Sequence, residues 1–229
     1  FDETGTLTRS TFAFSDASPD VFIFGYRNSV EANKYKAMSL ATDYGQSFYM
    51  TVAPVAATTP GSGYLAVVGT DIFSTDDTAT AGNRIRKNGS VAAITGTTPN
   101  ADGKLAHDST NSYLLVLDTT TTVLRYSGIA GATLTFVDTI TLDTAVSLQN
   151  FLFDATNSRY LCLDLTNNLV RRFNSAGTTV DTASYTVTDT NVIGLAFVRD
   201  RVHLACVTTT DTQDYFTSEI TFIPTTMTR

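Results

Sequence analysis

The chain of 229 residues has no tryptophan, two cysteines, two histidines, three methionines and five prolines. With only His107 and His203, and no G-x-S-x-G or H-E-x-x-H pattern, it offers little from which to build a Ser/His triad or a zinc-peptidase centre. Two cysteines without C-x-x-C spacing exclude a zinc ribbon or a thioredoxin-type motif. Cys162 and Cys206 each lie inside an apolar strand pattern and read as small buried hydrophobes, with a disulfide as the alternative. The longest apolar runs are strand-sized, too short for a helix across a bilayer. Lysine is confined to Lys34, Lys36, Lys87 and Lys104, and 15 basic against 22 acidic residues give a net charge of −7. That balance excludes the clustered cations a nucleic-acid surface needs. Nucleic acid and membrane insertion are therefore set aside as partners.

What is present points to strands. Threonine is about 18% of the chain, and its branched Cβ favours a pleated, half-exposed backbone. Glutamate is limited to Glu3, Glu31 and Glu219, whereas aspartate, a turn former, is plentiful. No helix-period stripe exceeds two turns. Hydrophobic residues at 42% and charged residues at 16% fit a folded all-β chain. The first residue is Phe1, and no charged segment followed by an apolar run comes after it, so a leader is expected to be absent or removed and the chain to be a portion of something longer.

Internal repetition fixes the expected architecture. Asp108-Ser109-Thr110-Asn111-Ser112 matches Asp154-Ala155-Thr156-Asn157-Ser158 at an offset of 46. The same offset places Leu115, Leu117 and Asp118 on Leu161, Leu163 and Asp164, and Val123, Leu124 and Arg125 on Leu169, Val170 and Arg171. Weaker copies end their apolar strands at Gly25, Gly69 and Cys206, giving spacings of 44, 49, 46 and 42. A period of about 45 residues fits a four-stranded propeller blade. The expected fold is all-β, a single domain over 1–229, a five-bladed β-propeller of four-stranded blades. The blades fall at about 11–52, 53–97, 103–142, 149–187 and 192–224. The segment Thr4 to Arg9 is expected to pair as the outer strand of the last blade and so close the ring. A β-sandwich is the competing fold.

Asn83-Arg84-Ile85-Arg86-Lys87, followed by Gly89 and Val91, resembles the N-R-I-R-K…G-x-V core of NHL-type propeller repeats. Asn168-Leu169-Val170-Arg171-Arg172-Phe173 with Gly177, and Val123-Leu124-Arg125-Tyr126, look like two further copies. The resemblance covers about half the chain and implies blade architecture. It implies no single function, since such propellers include enzymes, RNA binders and adhesive modules.

Propellers place ligands on the face bearing the loops that lead into each first strand and join the second strand to the third. There the candidates are Asn100, Asp102, Gln149, Asn150, Asp189 and Asn191, with His107 on a channel-lining strand, a set suited to a cation or small polar ligand. Turn capping is the simpler explanation of the same Asn and Asp residues. The long second-repeat connection, Thr70 to Gly82, offers Asp71, Asp76 and Asp77 as weak Ca²⁺ candidates without an EF-hand or RTX pattern. No cofactor is otherwise expected. Asn88-Gly89-Ser90 is a glycosylation sequon in an expected hairpin turn.

The function expected from the sequence is a non-enzymatic binding or assembly module, a structural or adhesive component of a virion or extracellular surface assembly. Its partners would be proteins in that assembly or a surface glycan. A lectin-like propeller is the alternative, although no repeated surface aromatic supports multivalent sugar stacking. A glycoside hydrolase would have to use Asp102, Asp108, Asp154 or Asp189, since none of the glutamates maps to the channel. Asp108 and Asp154 hold equivalent repeat positions, which favours a turn-forming role for both.

Overall fold

The computed structural model describes residues 7–15, 21–28, 34–39, 49–51, 65–69, 71–75, 79–80, 82, 84–88, 90–100, 103–149, 151–186, 190–198, 200–208 and 220–229. Five sheets follow one another along the chain. The first holds β1 (Leu7–Ser15), β2 (Val21–Asn28), β3 (Lys34–Ser39) and β4 (Tyr49–Thr51). The second holds β5 (Leu65–Val68), β6 (Asp71–Thr75), β7 (Ile85–Lys87) and β8 (Ser90–Val91). After β9 (Ala93–Thr95) comes the third, β10 (Lys104–Asp108), β11 (Tyr113–Thr119), β12 (Thr122–Ser127) and β13 (Thr133–Thr141). The fourth is β14 (Leu152–Asp154), β15 (Arg159–Asp164), β16 (Leu169–Phe173) and β17 (Thr179–Ser184). The last is β18 (Thr190–Val198), β19 (Arg201–Thr208) and β20 (Ile220–Thr228). Each is an antiparallel meander, and the innermost strands lie side by side, β1 against β5, β5 against β10 and β10 against β14. This is a propeller arrangement.

Two expectations are corrected. Four sheets reach four antiparallel strands and the last has three, so there are four complete blades, not five. Nor does the N-terminal segment close the last blade. Leu7 and Arg9 pair with Asn28 and Arg27, inside the first sheet. The run Leu7–Ser15 contains no Gly or Pro to interrupt it, so it continues as one nine-residue strand rather than crossing to another sheet. Thr4 to Thr6 lie outside the described residues.

Period-two alternation builds the core. Leu114 and Val116 face one way, into a cluster with Phe73 and Ile85 of the second sheet, while Leu115 and Leu117 face the other, against Tyr160, Cys162 and Phe173 of the fourth. In the same way Leu161 and Leu163 meet Leu195, Leu204 and Cys206 of the last sheet. β11 and β15 are thus apolar on both faces because they are covered on both, as a near-continuous apolar run predicts. Cys162 and Cys206 are free thiols in two different clusters, and burial pushes the Cys162 thiol well above its usual value.

The second sheet gives up its outer strand early. β8 ends after two residues because Ala92, 1% exposed, turns into the core. The chain then pairs in parallel with β13 through β9, Ala93 with Thr133 and Thr95 with Thr135, and covers that edge of the third sheet. Among the described residues no helix is long and apolar enough to cross a membrane.

Candidate functional site

Aspartate side chains build the turns at the strand ends. Asp108 Oδ1 accepts from the N–H groups of Thr110 and Asn111, both at 3.0 Å, and its Oδ2 accepts from Asn111 Nδ2 at 2.8 Å. Asp154 does the same with Thr156 N–H at 3.0 Å and Asn157 Nδ2 at 2.7 Å. Each turn then places a serine in the left-handed region, Ser112 at φ 56° and Ser158 at φ 52°. Asp108 and Asp154 are 1% and 0% exposed, so these carboxylates are sealed into the loops that join first strands to second. Their repeat-matched role is to form turns.

The candidate binding face carries the loops into the first strands and the turns between second and third strands. Hydrogen bonds link the two kinds of loop. Asn100 N–H donates to Asp118 Oδ1 at 2.5 Å and Asn100 Nδ2 to Asp118 Oδ2 at 2.8 Å. In the next blade Ser147 N–H donates to the Leu163 carbonyl at 2.7 Å, and Ser147 Oγ accepts from Leu165 N–H at 3.0 Å. Val146 N–H reaches the Thr120 carbonyl at 2.8 Å, so the 142–149 loop grips the turns of two blades at once.

Asp118 and Asp164 stand at equivalent ends of β11 and β15, and their surroundings push them in opposite directions. Burial raises the Asp118 carboxyl above its ordinary value, against the Asn100 N–H bond and the Arg84 charge. Burial also acts to raise Asp164, but the bonds from Asn167 and Arg171 outweigh it and hold the carboxyl low. Arg171 closes on Asp164 at 2.7 Å, with both side chains largely buried. Arg84 donates from Nη1 to the Pro99 carbonyl at 2.7 Å, while its buried Nε has no partner. Tyr126, raised by burial, donates to the Thr97 carbonyl at 2.9 Å. The arrangement anchors the loop ahead of β10 and leaves both Asp118 oxygens occupied.

Of the predicted site residues, Asn100, His107, Gln149 and Asn191 lie within the described residues. Asn100 is joined to Asp118. Gln149 is half-buried in the 142–149 loop, where its N–H donates to the Ser147 carbonyl at 2.8 Å. His107 lies at the opposite end of β10 from Asn100, one residue before the Asp108 turn. Asn191 is in β18, its backbone paired with Val207. Asp102, Asn150 and Asp189 fall outside the described residues. Asp118 was missed as a site residue, although its match to Asp164 in the repeat is a signal that could have found it.

Of the proposed Asp71, Asp76 and Asp77 set, Asp71 alone lies within the described residues. Asp71 opens β6, whereas Asp76 and Asp77 follow its last residue, Thr75, and lie outside the described residues. Asp71 instead pairs with Lys87 Nζ at 2.9 Å and accepts from Asn88 Nδ2 at 2.7 Å. Lys87 lowers its carboxyl. Among the described residues no group of three or more His, Cys, Asp and Glu side chains is placed to hold a metal ion.

Neither a protein-family model nor a curated protein matches the chain. Among solved structures, the chain resembles a functionally unknown protein from Desulfotomaculum acetoxidans, with TM-score 0.47 and 12% identity over 79% of this chain and 73% of that one. It also resembles apo AztD from Citrobacter koseri, at TM-score 0.40 and 10% identity over 86% of this chain and 55% of that one. A third is a provisionally named 6-phosphogluconolactonase from Bacteroides uniformis, at 0.47 and 10% identity, covering 93% of this chain and 69% of that one. Likenesses this distant do not bear on what the chain does. The propeller arrangement rests on the chain's own strand order.

Proposed function

We propose that the chain is a non-enzymatic propeller module that presents its loop-bearing face to a protein or glycan partner, within an extracellular or virion-surface assembly. The observation that carries this reading is the engagement of the carboxylates. Asp118 is occupied by Asn100 and Asp164 by Asn167 and Arg171, while Asp108 and Asp154 are closed into their own turns. A glycosidase needs two carboxyl groups free to face one substrate bond; of the four candidates for that role, Asp108 and Asp154 are committed to the fold, and Asp102 and Asp189 lie outside the described residues. A Thr-rich, Lys-poor composition fits a module in contact with other macromolecules.

The three NHL-like stretches fall on third strands, with Ile85, Val123 and Val170 each fully buried, which supports an NHL-type origin for the blades. The test is mass photometry and electron cryo-microscopy of native material, with a glycan array run with and without Ca²⁺. A multi-copy particle or saturable glycan binding is expected. A free monomer that binds no glycan overturns the proposal.

A further inference from the structure

The connections between blades fasten one outer strand to the next in two different ways. In the first, β9 runs parallel to β13, and the Ala93 N–H donates to the Ala132 carbonyl at 3.0 Å. Its last pair is Thr95 with Thr135, one residue before Phe136. In the second, the chain leaving β13 reaches the start of β17, where the Asp143 N–H donates to the Gly177 carbonyl at 2.9 Å. Phe136 and Thr179 sit at the same register shift, opposite Tyr126 and Phe173, so they hold equivalent places. A residue whose N–H binds the Gly177 carbonyl in a parallel ladder stands opposite Thr178, one residue before Thr179. Asp143 therefore occupies the place of Thr95.

The next bond of a parallel ladder would run from the Thr179 N–H to the main-chain carbonyl of Asp143. The carboxylate takes it instead. The Thr179 N–H donates to Asp143 Oδ2 at 2.8 Å, and Thr179 Oγ1 donates to Asp143 Oδ1 at 2.6 Å. A side chain thus completes the rung and ends the strand. Asp143 itself is exposed, between two buried residues that are anchored to the turn of the third blade. The Leu142 N–H donates to the Thr121 carbonyl and the Val146 N–H to the Thr120 carbonyl, both at 2.8 Å. Where β9 gives its seam three paired residues, one carboxylate stands in for them at β17.

We propose that Asp143 is an acid-released latch that fastens the outer rim of the third blade to the start of β17. As a carboxylate it accepts both Thr179 bonds with the assistance of its charge. Protonation removes that charge and turns one acceptor oxygen into a donor facing the Thr179 donors. The two Thr179 bonds hold the carboxyl below its ordinary value of 3.8, with help from the Thr144 side chain and the Arg171 charge. A group lowered in the latched state contributes in full above 3.8, and its contribution is lost as pH falls through the lower value. Arg171, on β16, is itself closed on Asp164. The turn 174–178 carries no charged residue, and Asp181, the one on β17, is forked with Arg172. Release frees residues 143–145 between the anchored Leu142 and Val146 and opens the first rung of the β17 edge.

The test is amide NMR of the whole chain from neutral pH into acid, for the wild type, D143A and D143N. The Thr179 amide signal is expected to move in one step below pH 3.8 in the wild type and to stay still in both variants. At neutral pH its hydrogen exchange should be about tenfold faster in D143A, with D143N, which keeps an acceptor oxygen without the charge, in between. The amides of Leu161 and Val170, on β15 and β16, should keep their protection throughout. A Thr179 amide that ignores both pH and D143A would overturn the latch. Equal loss of protection at Leu161 and Val170 in D143A would overturn it as well, by showing that Asp143 supports the whole blade rather than its rim.

Discussion

Arg172 donates from Nε to Asp181 Oδ1 at 2.8 Å, and its Nη2 closes on the other carboxylate oxygen to form a fork between β16 and β17. Its remaining nitrogen, Nη1, donates to the Thr228 carbonyl at 2.9 Å, at the end of the last sheet. One guanidinium thus ties two strands of one blade and reaches the next. Arg125 and Asp138 form the same fork in the preceding blade. Lys87 reaches forward in the same sense, to the hairpin that joins β12 to β13.

Replacing Arg172 with alanine is expected to lower stability by about 1–2 kcal/mol. Asp181 is 42% exposed, so solvent screens the charge pair and most of the loss comes from the Thr228 bond and packing. R172K keeps the charge but loses the bidentate fork, and should recover less than half. Urea midpoints of the two variants check this.

Gly177 cannot take a side chain. Its φ is 86°, and a Cβ there would meet the Thr141 carbonyl oxygen of the neighbouring blade at 2.1 Å. G177A should cost at least about 3 kcal/mol, combining backbone strain with displacement of β13. Thermal unfolding measures it. By contrast, Ser158 at φ 52° has no reason to be anything but glycine on backbone grounds, and S158G should add about 0.5 kcal/mol.

Acid should unfold the chain through its ion-paired aspartates. Arg125 holds Asp138 below the ordinary value of 3.8, and Lys87 does the same for Asp71. A carboxyl lowered by folding contributes stability that is present in full above its unfolded value and lost as pH falls through the folded one. Asp118, raised by burial, has the opposite sign, and its unfavourable contribution fades on protonation. Stability should therefore fall below pH 3.8, and D138N should flatten that decline. Urea unfolding across the acid range gives the result.

Much of the architecture was legible because the repeat is nearly exact where packing repeats. Leu115 and Leu161, Leu117 and Leu163, and Asp118 and Asp164 are equivalent in the structure, as the offset of 46 implies. The third strands are not. Leu115 pairs with Arg125 but Leu161 pairs with Arg172, so the true partner of Arg125 is Arg172, at an offset of 47. The fourth blade takes seven steps from Leu163 to Val170, where the third takes six from Leu117 to Val123, and the extra residue is absorbed in the turn. Sequence matching could not see this because Arg171 and Arg172 are the same residue type. The shift leaves Arg171 free to bind Asp164, whereas Asp118 is left to Asn100.

The candidate site was less legible than the fold. A turn aspartate and a ligand-binding aspartate carry the same letter, and only the hydrogen bonds of Asp108 and Asp154 separate the two roles. The number of complete blades was obscured by the segment Thr4 to Arg9, expected as the fourth strand of the last sheet, whereas Leu7 and Arg9 pair inside the first and the last sheet has three strands.

Asp118 and Asp164 are held by separate partners, Asn100 for the one and Asn167 with Arg171 for the other. Carboxyl-carbon NMR titration of the folded chain, with D118N beside it, tests this directly. Each aspartate should titrate in a single step, Asp164 below 3.8 and Asp118 above it, with the Asp164 curve unchanged in D118N. Two coupled steps, or an Asp164 curve displaced by D118N, would be the signature of a shared acidic centre and would contradict the non-enzymatic reading.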